Sequence, residues 1–258
     1  QFYCEDSQEV LDTTLQAYRL AESVALPVMV VLDAFFLSHT YEPVDVPEQE
    51  QVDRFLPPYE ARFRLDTAAP CSFGPLVPPA VYMEMRHDIA QAMEKALSTF
   101  REIEDEYAGI FGRRYGAVEA VCCDDAEIVL VTSGTITSTA RSVLEDLRGR
   151  GEKAGLLKIK LFRPFPVDDV RRALGGAKKI AVIDRNFSFG ASGIFAQELR
   201  AALCNVPGHA PVFGYVAGIG GRDVTPAVLE DIYWKTKNSA APERESVWIG
   251  LQEVSHGS

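Results

Sequence analysis

The chain has little of what most metal and redox sites are built from. Four histidines (His39, His87, His209, His256) are scattered without an i, i+4 pairing, and none of the five cysteines forms a C-x-x-C. Neither a zinc site nor an iron-sulfur cluster can be assembled from adjacent motifs, and no metal site is expected. The cysteines (Cys4, Cys71, Cys122, Cys123, Cys204) are odd in number and come after no secretory h-region, which points to a reducing cytoplasm. Adjacent cysteines bridge only with strain, so Cys122 and Cys123 read as small buried hydrophobes before they read as a redox pair. No apolar run approaches the ~18 residues a membrane span needs; a stretch such as Leu26 to Leu32 is far shorter. Basic charge is also in deficit: the net charge is -11, so phosphate backbones and anionic membrane surfaces are repelled. Missing as well are the G-x-G-x-x-G dinucleotide fingerprint, the G-x-x-x-x-G-K-[ST] loop and the G-x-S-x-G elbow of serine hydrolases.

What remains is an ordinary globular composition, 47% hydrophobic and 24% charged, in 258 residues, enough for about two domains. The sequence begins at Gln1 without a Met, and Phe2-Tyr3-Cys4 reads like the inside of a strand. A piece of something longer is the expectation.

Asp6-x-x-Glu9 resembles a capping box, and Leu11, Leu15 and Tyr18 continue at helical spacing, which predicts a helix over 7–23. The continuous apolar run from Leu26 to Asp33 predicts a parallel strand buried on both faces. From Thr40 to Pro79 the periodicity disappears and eight of the fifteen prolines accumulate, which reads as an interdomain crossing. Ile89, Met93, Ala96, Phe100, Ile103 and Tyr107 then share one stripe of a long helix, expected to dock on the domain C-terminal to it.

Beyond residue 110 strands and helices alternate. Strands are expected at 127–132, 156–162, 179–184 and 211–216, with helices from Thr135, Pro166 and Ala191 between them. Right-handed crossovers then give a mainly parallel, doubly wound α/β sheet over roughly 110–235. Residues 238–258 read as a polar tail that packs through Val247-Trp248-Ile249.

In such sheets ligands and partner loops meet the carboxyl ends of the strands. Three turns there are unusual: Thr132-Ser-Gly-Thr135, Asp184 to Gly193 (DRNFSFGASG) and Gly218 to Asp223 (GIGGRD). Each reads either as an anion-accepting helix entrance or as turn chemistry with close packing, and Asp184-Arg185 as a local surface ion pair. Asp33, Ser38 and His39 place an acid, a hydroxyl and an imidazole beyond a strand, a site edge able to move protons or simply a satisfied histidine.

Four segments together carry a resemblance: Gln1 to Val10 (QFYCEDSQEV), Leu26 to Val44 (LPVMVVLDAFFLSHTYEPV), Ala181 to Gly190 (AVIDRNFSFG) and Gly218 to Thr225 (GIGGRDVT). In this order they resemble the alpha subunit of pyruvate:ferredoxin (flavodoxin) oxidoreductase, the pyruvate synthase branch of the 2-oxoacid:ferredoxin oxidoreductases. The resemblance implies a thiamine diphosphate enzyme that converts pyruvate, coenzyme A and oxidised ferredoxin to acetyl-CoA, carbon dioxide and reduced ferredoxin. It implies the end of a pyrimidine-binding-type α/β domain (1–40), a proline-rich crossing (41–80), a transketolase C-terminal-like domain (81–235) and a tail (236–258). The family's substrate threonine and arginine and its cofactor-activating glutamate lie before the segment matching Gln1, so no catalytic residue carries over. The cofactor diphosphate, magnesium and iron-sulfur clusters are then expected on other segments or on beta and delta subunits, with gamma completing the complex. The isolated chain is expected to bind no cofactor and to be inactive, and at -11 to be a poor ferredoxin dock, so ferredoxin is met only indirectly.

Within the chain, Asp33, Ser38 and His39 are candidates for a subunit interface or substrate entrance, and Asp184, Arg185, Asn186, Ser188, Gly190 and Gly193 for contacts with neighbouring subunits. The resemblance leaves the 2-oxoacid open among pyruvate, branched-chain acids, 2-oxoglutarate and oxalate. A non-catalytic α/β assembly module is the alternative from another class.

Overall fold

Strands that are apolar at nearly every position are stable only in a sheet covered on both faces. A computed structural model of the chain, describing residues 1–61, 63–243 and 246–252, has such a sheet. The elements run β1 (Phe2–Tyr3), α1 (Ser7–Val24), β2 (Val30–Val31), α2 (Gln49–Phe55), α3 (Pro79–Phe111), β3 (Val118–Val121), β4 (Ile128–Thr132), α4 (Ile136–Gly149) and β5 (Ala154–Ile159). They continue with α5 (Val167–Leu174), β6 (Lys179–Asp184), α6 (Ile194–Leu203), β7 (Val212–Val216), α7 (Pro226–Asn238) and β8 (Val247–Trp248). Two compact units emerge, one of Gln1–Val10, Val30–Val44 and Tyr115–Ser258, the other of Leu11–Met29 and Asp45–Arg114.

The first unit holds a six-stranded sheet in the order β3-β5-β4-β6-β7-β8, parallel except for the edge strand β3. Helices α4 and α7 cover one face through Ile136, Val143, Leu147, Leu229 and Ile232, packed on Leu130 and Leu156. Helices α5 and α6 cover the other through Val170, Leu174, Phe195 and Leu199, packed on Val129, Val131 and Val182. The chain leaves β4 for β5 on one side and later returns to β6 on the other, so the strand order reverses between β4 and β6. The crevice at the carboxyl ends of those two strands is therefore the sheet's topological switch point.

Several expectations change. The run from Leu26 to Asp33 pairs in parallel with β1, but only Val30 and Val31 are in strand, both half-buried, and Leu32 is exposed. A strand with one short neighbour has one face to bury, which leaves the continuous apolar run partly in solvent. The proline-rich crossing contains α2, whose Phe55 is fully buried edge-on against Tyr107 and Phe111, with centroids 5.2 and 5.8 Å away. Helix α3 buries Ala96, Phe100, Ile103 and Tyr107 within the second unit, whereas its first three turns are exposed, Ile89 and Met83 (79%) among them. That helix groups with α2, not with the sheet that comes after it. Cys123 is buried but Cys122 is exposed with φ 53°, and both thiols are free. Residues 247–248 form the last strand of the sheet, and Val247 and Ile249 pack on its core, as expected of this stretch; residues 244, 245 and 253–258, His256 included, lie outside the described residues.

One polar cluster in the sheet unit was not foreseen from the sequence. Asp6 caps α1 by accepting the Glu9 N–H at 2.7 Å, while the Glu9 carboxylate turns back to the Glu5 N–H at 2.6 Å. Both Glu5 and Glu9 then meet lysines of the β5 region: Lys158 Nζ lies 2.8 Å from Glu5 and 2.9 Å from Glu9, and Lys160 Nζ 3.5 Å from Glu9. Arg141 clamps Glu5 at 2.8 Å and Glu119 at 2.5 Å. Glu5, Glu9, Lys158 and Lys160 are buried in this cluster, with Arg141 and Glu119 partly exposed at its rim. Burial alone would raise the Glu5 pKa, but the Arg141 hydrogen bonds and Lys158 outweigh it and hold it at about 2.

Removing one partner from such a network strands a buried charge, which costs ~3–5 kcal/mol. Lys158→Met is accordingly expected to lower the unfolding free energy of the chain by about that amount in urea titrations. Arg172→Met, where the arginine of the pair with Asp169 is itself exposed, serves as the control and should leave the midpoint nearly unchanged.

Candidate functional site

The switch-point crevice is bounded by the turns after β4, β6 and β7, and all three lead to one side chain, Arg185. After β4, Gly134 (φ 61°) turns the chain into α4, whose first amides point outward. A helix N-terminus of this kind accepts an anion. The anion found there is the chain's own: the Asp33 Oδ2 accepts from the Thr135 N–H at 2.8 Å and from the Thr135 hydroxyl at 2.6 Å. A Cβ on Gly134 would stand 2.6 Å from that oxygen, so only glycine admits the carboxylate. The Thr135 hydroxyl, expected to cap its own helix, is instead committed to Asp33 and makes no cap bond.

Arg185, at the end of β6, reaches over this contact. Its Nη1 lies 3.0 Å from Asp33 Oδ2 and donates to the Thr135 hydroxyl at 3.0 Å, while the guanidinium sits 4.9 Å from the Phe36 ring centroid. Gly218 (φ 78°), after β7, makes room for it: a Cβ there would be 3.1 Å from Arg185 Nε. Among the described residues that buried Nε has no hydrogen-bond partner, which in a water-free position costs ~1–3 kcal/mol. Asp33 and Arg185, from separate sequence motifs, are thus brought together with side-chain exposures of 17% and 20%.

The expected local pair of Asp184 with Arg185 does not form, because consecutive strand residues point to opposite faces. Asp184 is fully buried and accepts from the Phe195 and Ala196 amides at 2.8 and 3.1 Å, capping α6. Asn186 accepts from the Ile194 N–H at 2.9 Å, and a Cβ on Gly193 would overlap the Asp184 carboxylate. The Ser188 N–H closes the turn onto Ser192 at 2.9 Å, and Gly190 (φ 85°) is its open tip. Asp184, Asn186, Ser188, Gly190 and Gly193 therefore build the entrance of α6. From this loop Phe187 packs on Trp248 and Phe189 is 89% exposed.

Beyond Asp33 the chain makes a tight turn closed by the Leu37 N–H to the Asp33 carbonyl at 3.0 Å, with Leu37 buried. Phe35 adopts φ 66°, a conformation that costs a non-glycine residue of order 1–3 kcal/mol. Its N–H donates to the Ser38 hydroxyl at 3.0 Å, that hydroxyl lies 2.8 Å from His39 Nδ1, and the Phe35 and His39 rings stack at 4.7 Å. Ser38 and His39 are exposed and preorganised, and the other ring nitrogen, Nε2, carries no bond to the chain's described residues. No motif marks Thr135 as a partner of Asp33; the capping box marks Glu9 only as a helix cap, and none marks Phe36, Glu5, Lys158 or Lys160 as partners. Two lysines spaced by two within an otherwise apolar strand were the available signal for the last pair.

A doubly wound sheet whose switch point is closed by an acid and an arginine defines an α/β subunit that presents a loop at the place where such folds take their ligands. Residues 1–105 match the model of the pyruvate flavodoxin/ferredoxin oxidoreductase thiamine diphosphate-binding domain, and residues 126–229 that of the pyruvate:ferredoxin oxidoreductase core domain II. Over 257 residues the chain is 44% identical to the pyruvate synthase subunit PorA of Methanothermobacter thermautotrophicus, covering 99% of this chain and 65% of the relative. It is 41% identical over 258 residues to the ketoisovalerate oxidoreductase subunit VorA of Pyrococcus abyssi, with 98% and 65% covered. A 2-oxoglutarate:ferredoxin oxidoreductase from Magnetococcus marinus shares the fold, with TM-score 0.56 and 16% identity over 91% of this chain and 41% of that one. The chain belongs to the pyruvate:ferredoxin oxidoreductase family of 2-oxoacid oxidoreductases, and it spans about 65% of the length of the curated relatives it matches.

Burial pushes the Asp184 carboxyl up to about 6, against the downward pull of the two α6 amides. An acid whose folded pKa lies above its unfolded value near 3.8 stabilises the fold below pH 4 and loses that contribution as pH rises to 6. The chain should therefore take up a proton on folding between pH 4 and 6, worth on the order of 2–3 kcal/mol. Unfolding free energies measured across that window should show this slope in the wild type and lose it in Asp184→Asn; equal slopes would refute the assignment.

Proposed function

We propose that this chain is part of the alpha-type subunit of a thiamine diphosphate-dependent pyruvate:ferredoxin oxidoreductase, which forms acetyl-CoA and carbon dioxide from pyruvate and coenzyme A. The observation that carries this reading is the match of both family models, in order, in a chain 44% identical over nearly its whole length to a pyruvate synthase subunit. The VorA relatives, 40 to 41% identical, support a branched-chain 2-oxoacid as the second reading.

The chain's own residues do not fit the cofactor's diphosphate at the switch point. The helix N-terminus that would receive a phosphate already holds the Asp33 carboxylate, and a second anion there would be repelled. Thiamine diphosphate supplies the electron sink for decarboxylation when bound, and we assign its binding, with magnesium and the iron-sulfur clusters, to other segments and to partner subunits. This chain contributes a surface instead: Asp33, Ser38 and His39 at the substrate entrance or a subunit interface, and the loop from Asp184 to Gly193, with exposed Phe189, toward neighbouring subunits.

Two measurements test the reading. In the full-length, assembled enzyme, replacing Ser38 and His39 together by Ala should lower kcat/KM for pyruvate by roughly the 10²-fold typical of a lost proton-handling or positioning group; unchanged turnover would remove these residues from the site. The purified 258-residue chain should show no saturable heat of thiamine diphosphate binding and no pyruvate decarboxylation. Turnover by this chain alone would overturn the assignment of the cofactor to other segments.

A further inference from the structure

The strained, exposed turn from Asp33 to His39 has few means of holding its conformation by itself. Phe35 sits at positive φ, and among the described residues Ser38 and His39 make their side-chain bonds only to each other and to Phe35. Besides the Thr40 hydroxyl, which donates to the Phe36 carbonyl at 2.7 Å, three contacts tie the turn to the rest of the chain: Asp33 on the α4 N-terminus, Phe36 under a guanidinium, and Leu37 buried. Arg185 joins two of these three anchors, pairing with Asp33 and covering the Phe36 ring, and it is fixed by the Thr135 hydroxyl and by the space left at Gly218.

We propose that Arg185 is a positioning residue: through Asp33 and Phe36 it fixes the 33–39 turn so that Ser38 engages His39 Nδ1 and the His39 Nε2 faces outward as a directed polar group. The residues it holds lie within the stretch matched by the thiamine diphosphate-binding model, while Arg185 lies within the core domain II match. The second matched domain thereby sets the geometry of a loop belonging to the first. This rests on the placement of Ser38 and His39 at the substrate entrance only for its effect on turnover, not for the positioning itself.

Hydrogen exchange on the 258-residue chain tests the positioning. In Arg185→Met, the 33–39 segment, which holds the bonded amides of Phe35 and Leu37, should exchange at least tenfold faster, while segment 179–183 in the sheet core is unchanged. Arg185→Lys, which keeps a cation over Asp33, should restore most of the protection. Should Arg185→Met accelerate exchange in the core as well, Arg185→Gln, which keeps a polar side chain but removes the charge over Asp33, takes its place with the same expectation. Equal exchange of 33–39 in wild type and variant would overturn the proposal.

In the full-length assembled enzyme, Arg185→Met is expected to lower kcat/KM for pyruvate about tenfold. The double variant with His39→Ala should be no slower than His39→Ala alone, because both changes then act through one group. Faster exchange with unchanged turnover would leave Arg185 as the positioning residue and remove His39 from the substrate entrance, so the two readings fail separately.

Discussion

The Asp33 carboxylate on the amino end of α4 is the contact around which the rest of the sheet's carboxyl edge is arranged. A parallel α/β sheet concentrates helix N-termini at one end, and each carries partial positive charge that has to be met by something. At α6 the charge is met from within, by Asp184 at the end of its own strand. At α4 it is met from 102 residues away in sequence, by an acid that arrives with the segment after β2. That difference makes one helix entrance a local structural cap and the other a junction between distant parts of the chain.

The same segment-to-sheet attachment is made a second time by the cluster around Glu5, Glu9, Lys158 and Arg141. Its buried acids are each paired with a base of the sheet unit. Its role is registration, because a buried pair with hydrogen-bond geometry tolerates less sliding than an apolar contact of equal area. The chain's acidity is left to the exposed surface, where single pairs contribute little.

Much of the sheet was legible because buried parallel strands have a composition that nothing else in a soluble domain shares. The strand Lys179 to Asp184 fell where its apolar run placed it, and the helix expected from Ala191 begins at Ile194. Strand β3 was not legible: Val118 to Val121 lies antiparallel at an edge, is short and only half-buried, and so carries neither an unbroken apolar run nor clean alternation. Helix α2 was masked by the prolines around it, although Phe55 is its only buried side chain and is what holds it in place. The one pairing read from the motifs, Asp184 with Arg185, is not made. Asp184 and Arg185 are adjacent in sequence and diverge by strand alternation, while Asp33 and Arg185 converge through topology, which spacing along a chain does not encode.

Gly134 adds a constraint on how such a chain can change. The absent side chain at 134 and the acid at 33 occupy the same volume, so neither position has independent freedom. An acid at 33 demands glycine at 134, and a side chain at 134 demands that residue 33 retreat, taking with it the partner of Arg185 and the reason for the gap at Gly218. Four positions drawn from four separate segments are thus bound into one steric unit, and substitutions among them should be tolerated in company rather than singly.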